Sequence, residues 1–497
     1  MRPGFASAVC FLLGVPAGGA EPPQSIKFEP YVVQRFDGVE RKGELGRLKV
    51  PARRAQPAAG SIELAVVRLA STTATPGDPI VFLMGGPGIG ASVMDRVPPY
   101  AQLFERLRTV SDVILLDQRG TGLSSPSLDC PAREKPLDAG AFETRASLLA
   151  EMRTELEACL AALRGKGIDA APYTSPQSAA DVSDLRRALG VRRLQLLGYS
   201  YGTELALTVI REHRDDVSRA VLAGVRGPDH SVKLPSVFDL KLRQIGRLAA
   251  ESPAFAGTLQ GPNDLVARVE SLLASKSLPI RVSVTRQATK EPVELRVGRE
   301  GLQMLLVQNI DSPRLPALVV SLERGDTRVL ARVLEPFYNG LSRGGSSLMA
   351  RAVNCAAGAS PERNAQAAAE AEWALLGLPF DDVMVSSAYC SLLGDFELPA
   401  ATRRPFASDV PTLFVSGRLD SQTPPANAED LRYGFPLGSH LVIDGARHEM
   451  LVFPAVQEAI VDFFRGLDVA GRRLAVEPDP FLGVEDAASR PCGPRGC

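Results

Sequence analysis

Leu194-Gln195-Leu196-Leu197-Gly198-Tyr199-Ser200-Tyr201-Gly202 is an apolar run that ends in a Gly-x-Ser-x-Gly turn, and the helix-forming stretch Thr203 to Arg211 follows it. Strand, sharp turn and helix in that order describe a nucleophile elbow, in which the serine hydroxyl projects from the end of a sheet. Bulk at Gly198 or Gly202 would meet neighbouring backbone, and the helix N-terminus behind Ser200 favours negative charge as it develops. An ordinary glycine turn shares the five-residue pattern. The flanking strand and helix favour the catalytic reading.

A serine at such an elbow needs a base and an orienting acid, expected later in the chain in the order Ser, Asp, His. Pro411 to Gly417 reads as a buried strand, and Arg418-Leu419-Asp420-Ser421-Gln422-Thr423-Pro424 as the loop leaving it, which makes Asp420 the candidate acid. The strand-like run His440 to Ile443 leads into Asp444-Gly445-Ala446-Arg447-His448, so His448 is the candidate base. The chain has 4 histidines, and the others fit less well. His213 belongs to a helix end, His230 to a loop that is a weaker candidate for the site, and His440 to the start of a strand. Asp444 is the rival acid, but its closeness to His448 in the chain suits a turn better.

A tetrahedral oxyanion needs two backbone N–H donors. One is expected from Tyr201, the residue after the nucleophile. The other is expected from the glycine loop after the strand Pro79 to Met84, with Gly86 as the first choice and Gly85 as the next. Tyr199 and Tyr201 are read as rings that pack the elbow. Nothing in this chemistry calls for a cofactor or a metal.

Gly85-Gly86-Pro87-Gly88, Asp117-Gln118-Arg119-Gly120-Thr121-Gly122-Leu123-Ser124, Gly198-Tyr199-Ser200-Tyr201-Gly202-Thr203 and the Asp420 and His448 loops occur in this order. In this the chain resembles α/β-hydrolases of the proline iminopeptidase and tripeptidyl aminopeptidase group, from about Ser61 to Leu467. The resemblance implies a mainly parallel sheet flanked by helices, a largely helical cap inserted before the Asp and His strands, and removal of residues or short peptides from peptide N-termini. Two departures qualify it. Met84 stands where members carry a histidine, and a thioether cannot donate a hydrogen bond, so the loop needs another brace. Asn354-Cys355-Ala356-Ala357-Gly358 lacks the acid that relatives place there to hold a substrate ammonium. Glu204 is the candidate replacement anchor, with a buried structural role as its alternative. Asp117 and Arg119 are expected to pair and hold their loop.

The strand order suggests one catalytic domain with an insertion: 1–20 a secretory signal, 21–228 and 405–468 the hydrolase core, 229–404 the cap, and 469–497 a loosely ordered tail. In the cap, Leu302, Leu305, Leu306 and Ile310 recur at helical spacing, as do Leu315, Leu318, Val319 and Leu322, while Ile280 to Val284 and Val293 to Val297 suggest a hairpin. Phe5 to Val15 with Gly18-Gly19-Ala20 reads as a signal segment, which makes the protein periplasmic or secreted. Export permits disulfides, and locality suggests Cys130 with Cys159, Cys355 with Cys390, and Cys492 with Cys497.

The net charge of -1 offers neither a nucleic-acid footprint nor a basic membrane patch, and no internal run suits a membrane span. The expected partner is a peptide or small ester substrate. An aminopeptidase is the first expectation. A carboxylic-ester hydrolase with the same triad is the alternative, and a catalytically silent binding protein stands third.

Overall fold

Short apolar runs become the strands of a central sheet because their side chains alternate between two covered faces. The computed structural model describes residues 25–344, 347–395 and 397–490. Its ten-stranded sheet has the order β1-β2-β3-β5-β4-β6-β7-β10-β11-β12. The strands are β1 (Phe28–Gln34), β2 (Glu40–Pro51), β3 (Ser61–Leu69), β4 (Ile80–Leu83), β5 (Val113–Leu116), β6 (Leu194–Tyr199) and β7 (Val217–Ala223). Three more follow late in the chain: β10 (Thr412–Gly417), β11 (Gly438–Asp444) and β12 (Leu474–Ala475). From β5 onward across the sheet every pairing is parallel, whereas β1, β2 and β3 form an antiparallel extension that joins at β5.

The alternation is visible in the packing. Val81, Leu83, Ile114 and Leu116 face one apolar cluster, with helices Arg145–Arg164, Ser175–Ala188 and Tyr201–Glu212. Ile80, Phe82, Val113 and Leu115 face the other, against Pro98–Leu107 and Pro454–Phe464. The fold is that of an α/β-hydrolase.

Between β7 and β10 the chain leaves the sheet. It forms a succession of helices, from Pro235–Ala250 to Pro361–Ala371 and beyond, together with the hairpin β8 (Ile280–Thr285) and β9 (Pro292–Val297). The two leucine-rich stretches noted in the sequence are helices Arg299–Gln308 and Leu315–Glu323. Leu305, Leu318 and Val319 join the same apolar cluster as Leu83 and Leu196 of the sheet, so this layer is continuous with the core beneath it.

The tail departs from expectation. Residues 474–490 are tied down: β12 extends the parallel sheet beside β11, and helix Val484–Ser489 packs on helices Leu315–Glu323 and Arg328–Ser342, with Ala487 fully buried. Its Pro, Gly and charged residues read as loop, but backbone bonds to distant partners supply the order that composition conceals. The proposed signal and the Cys492 with Cys497 pairing fall on residues 1–24 and 491–497, outside the described residues. Among the described residues, no helix is long and apolar enough to cross a membrane.

Among the described residues there are two disulfides, Cys130–Cys159 and Cys355–Cys390. The first ties the loop beyond β5 to helix Arg145–Arg164 and closes a segment with a separation of 29 residues. Replacing both of its cysteines with alanine is expected to destabilise the protein by about 2–4 kcal/mol. Thermal unfolding measured beside the unaltered protein checks this, with a lower midpoint expected.

Candidate active site

Strand β6 ends at Tyr199 and the next helix begins at Tyr201, so a single residue must reverse the chain. Ser200 does this with φ 56° and ψ -124°, a left-handed conformation that costs a residue bearing a Cβ about 1–3 kcal/mol. Bonds on both sides hold it there. Its N–H donates to the Ala223 carbonyl at 2.9 Å, and its carbonyl accepts from the Thr203 N–H at 2.9 Å and the Thr203 hydroxyl at 2.6 Å. The chain is so crowded that a Cβ on Gly202 would stand 1.8 Å from the Leu83 carbonyl oxygen.

The acid and base loops are laced together. Leu419 N–H donates to the Ala446 carbonyl at 2.8 Å, and Arg418 N–H to that of Ile443 at 3.0 Å. Asp420 and His448 consequently meet, with Nδ1 of His448 2.9 Å from Oδ2 of Asp420. Asp420 also accepts from the Gln422 N–H at 2.8 Å, the Thr423 N–H at 2.9 Å and the Thr423 hydroxyl at 2.6 Å. Its carboxylate is wholly buried yet saturated with donors. A proton on Nδ1, directed to Asp420, leaves Nε2 as the basic nitrogen.

The imidazole lies at the elbow. Its ring stacks on Tyr199 with centroids 5.3 Å apart, the Tyr199 hydroxyl donates to the His448 carbonyl at 3.0 Å, and the ring packs against Gly224, next to the residue that holds the Ser200 N–H. Burial alone would push an imidazole toward neutrality. The Asp420 carboxylate, with Glu449 and Asp311 farther out, outweighs burial and raises the His448 pKa above the ordinary 6.5. Burial pushes the Asp420 carboxyl up, but His448 and Thr423 hold it below its usual range.

On the oxyanion side, Tyr201 opens a helix, where its N–H has no carbonyl one turn earlier to meet. Gly85 lies directly against the nucleophile: a Cβ there would be 2.6 Å from the Ser200 Cβ and 3.0 Å from the Tyr201 nitrogen. Gly86 follows it with φ 114°. The brace that Met84 cannot supply through its side chain comes from Gln118, whose Nε2 donates to the Met84 carbonyl at 2.8 Å.

One expectation is corrected, and the other candidate residues have partners of their own. Asp117 and Arg119 do not pair with each other. Asp117 accepts from the Ser92 and Leu123 N–H groups and the Ser92 hydroxyl, whereas Arg119 forms a two-point pair with Asp181, each contact 2.7 Å. Glu204 is buried, with Ser175 donating to it at 2.9 Å and Arg226 Nε 2.8 Å away, contacts that suit the structural role named as its alternative. The other histidines sit elsewhere. His440 bonds Glu429 and Ser416, and His230 accepts from the Gly227 N–H. Asp444 pairs with Arg418 at the surface. Thr423, Gln118 and the stacked face of Tyr199 were not identified from the sequence, because each acts through a contact that spacing does not reveal.

A cavity of about 710 Å³ opens beside His448. Glu449 from the base loop, Asp311 after helix Arg299–Gln308, and Phe337 from helix Arg328–Ser342 are among its walls. Burial raises the pKa of both acids.

Residues 78–272 match a family model described as alpha/beta hydrolase fold, and residues 379–472 one described as TAP-like protein. The putative hydrolase YuaR of Escherichia coli (strain K12) is 26% identical over 187 residues, 37% of this chain and 34% of the relative. A tripeptidyl aminopeptidase of Streptomyces coelicolor is 28% identical over 192 residues, covering 37% of this chain and 35% of its own. A proline iminopeptidase of Xylella fastidiosa is 27% identical over 154 residues, 30% of this chain and 33% of the relative. Each match spans about a third of the relative's length.

If His448 is the base, activity requires its neutral form. With its pKa raised, the acid limb of the kcat/KM profile is expected above pH 6.5. Asp420→Asn removes the carboxylate that raises it, so the limb should move to lower pH while kcat falls by about 10⁴-fold. Steady-state kinetics across pH on both proteins checks both signs.

Proposed function

We propose, from the premise that this chain is an α/β-hydrolase, that it acts as an exported serine hydrolase, first as an aminopeptidase on peptide N-termini. The observation that carries the reading is the bonded Asp420 and His448 pair brought against an elbow that holds Ser200 in a left-handed conformation. In this mechanism Nε2 of His448 accepts the Ser200 proton as Oγ attacks a carbonyl carbon. The oxyanion forms at the Tyr201 N–H and at the Gly85-Gly86 loop. The C–N or C–O bond then breaks as His448 returns the proton to the leaving group, which leaves an acyl-enzyme. Water activated by the same imidazole releases the acid.

Two further features support particular parts of the reading. Disulfides persist in oxidising compartments, so Cys130–Cys159 and Cys355–Cys390 favour a periplasmic or secreted protein. For the aminopeptidase, Glu449 brings an acidic group into the cavity beside His448, where a terminal ammonium is a fitting partner; Asp311 on the same wall already faces Lys241 at 3.9 Å and accepts from the Ser421 hydroxyl at 2.7 Å. Ester hydrolysis is the second reading. The neutralisation of Glu204 by Arg226 favours it, because this was the anchor that the sequence offered for an amine.

Aminoacyl and tripeptidyl 4-nitroanilides, their N-acetylated counterparts and 4-nitrophenyl esters distinguish the two. An aminopeptidase turns over the free amines and loses at least about tenfold in kcat/KM when the amine is acetylated. Turnover of esters alone removes the peptidase reading. No turnover of either class removes the catalytic one.

A further inference from the structure

The outer side of the cavity beside His448 is made by the chain's own C-terminal segment. After β12 the backbone stays on the base loop, with Val476 N–H donating to the Asp444 carbonyl at 2.8 Å. It then crosses to the cap, where Leu482 N–H donates to the Pro313 carbonyl at 3.1 Å. Helix Val484–Ser489 is fixed there by three arginines. Buried Arg314 donates to the Ala487 and Arg490 carbonyls at 3.2 and 2.9 Å, Arg328 forms a two-point pair with Glu485 at 2.7 and 3.0 Å, and Arg332 reaches the Ala488 carbonyl at 3.3 Å. Between its two attachments, Pro478, Pro480 and Leu482 line the same cavity as His448 and Phe337.

We propose that residues 478–490 form a specificity wall, which limits how far a substrate extends beyond His448 and confines the enzyme to short chains. The inference rests on reading Ser200, Asp420 and His448 as a hydrolytic site. The argument is steric. A cavity of about 710 Å³ accommodates a short peptide or a medium acyl chain. Its tail-side boundary is a strap anchored at one end to the core sheet and at the other to the cap, so this boundary does not retreat unless those contacts break. Two prolines in the crossing restrict its backbone further. At the cap, Arg314 and Arg332 hold the strap by backbone carbonyls that any residue would present, whereas Arg328 holds it through the Glu485 carboxylate.

The test compares kcat/KM for 4-nitrophenyl acetate with that for 4-nitrophenyl decanoate and decyl acetate, which lengthen the acyl and alcohol sides in turn. In the full chain, Leu482→Trp should lower the long-to-short ratio by about tenfold on one of the two sides. A chain ended after Glu477, and separately Leu482→Ala, should raise that ratio in the same direction of length. If the shortened chain does not fold, the two Leu482 variants decide. Ratios unmoved within about twofold, or equal losses on short and long substrates, overturn the proposal. If the unaltered protein turns over aminoacyl 4-nitroanilides but not the short ester, the same comparison is read on aminoacyl against tripeptidyl 4-nitroanilides; turnover of neither class contradicts the hydrolase reading instead.

Discussion

The active-site arrangement depends on the crowding at Ser200. A residue with a Cβ is held at φ 56° because strand β6, the following helix and strand β4 approach too closely for any gentler turn, with Gly202 against the Leu83 carbonyl and Gly85 against the Ser200 Cβ. This contact fixes where a hydroxyl leaves the sheet, where the helix N-terminus points, and where the glycine loop passes. Its cost is offset by bonds from Ala223 and Thr203. The same parallel sheet then sets β10 beside β7 and β11 beside β10, so their following loops arrive at the same end as the elbow.

Electrostatics at the base follow from this packing. His448 lies in a site where burial opposes a positive charge, yet a fully buried Asp420 with four hydrogen-bonding contacts has little alternative to remaining ionised. The carboxylate therefore fixes the ring's tautomer and raises its basicity together. Tyr199 adds a face for the ring and a hydrogen bond for its backbone, which links the base directly to the residue before the nucleophile.

Much of this was legible in the sequence wherever a local pattern has one physical solution. Leu194 to Gly202 announces strand and elbow, and strand β5 coincides with the apolar run Val113 to Leu116. Spacing also nominated Asp420 over Asp444, and locality paired Cys130 with Cys159. What stayed hidden depends on partners far apart in the chain. Arg119 finds Asp181 rather than Asp117, Arg226 engages Glu204, and Gln118 supports Met84 through a carbonyl that any residue would present. The tail misled for a related reason: its order comes from arginines in the cap, and composition at 474–490 carries no trace of them.

The central claim is that Ser200 is a nucleophile activated by His448. Intact-mass and peptide mapping after treatment with a fluorophosphonate tests it most directly. A single adduct on the peptide containing Ser200, formed more slowly as pH falls below the His448 pKa and absent in His448→Ala, is the predicted result. An adduct elsewhere, or labelling of Ser200 at an undiminished rate without His448, would contradict the account.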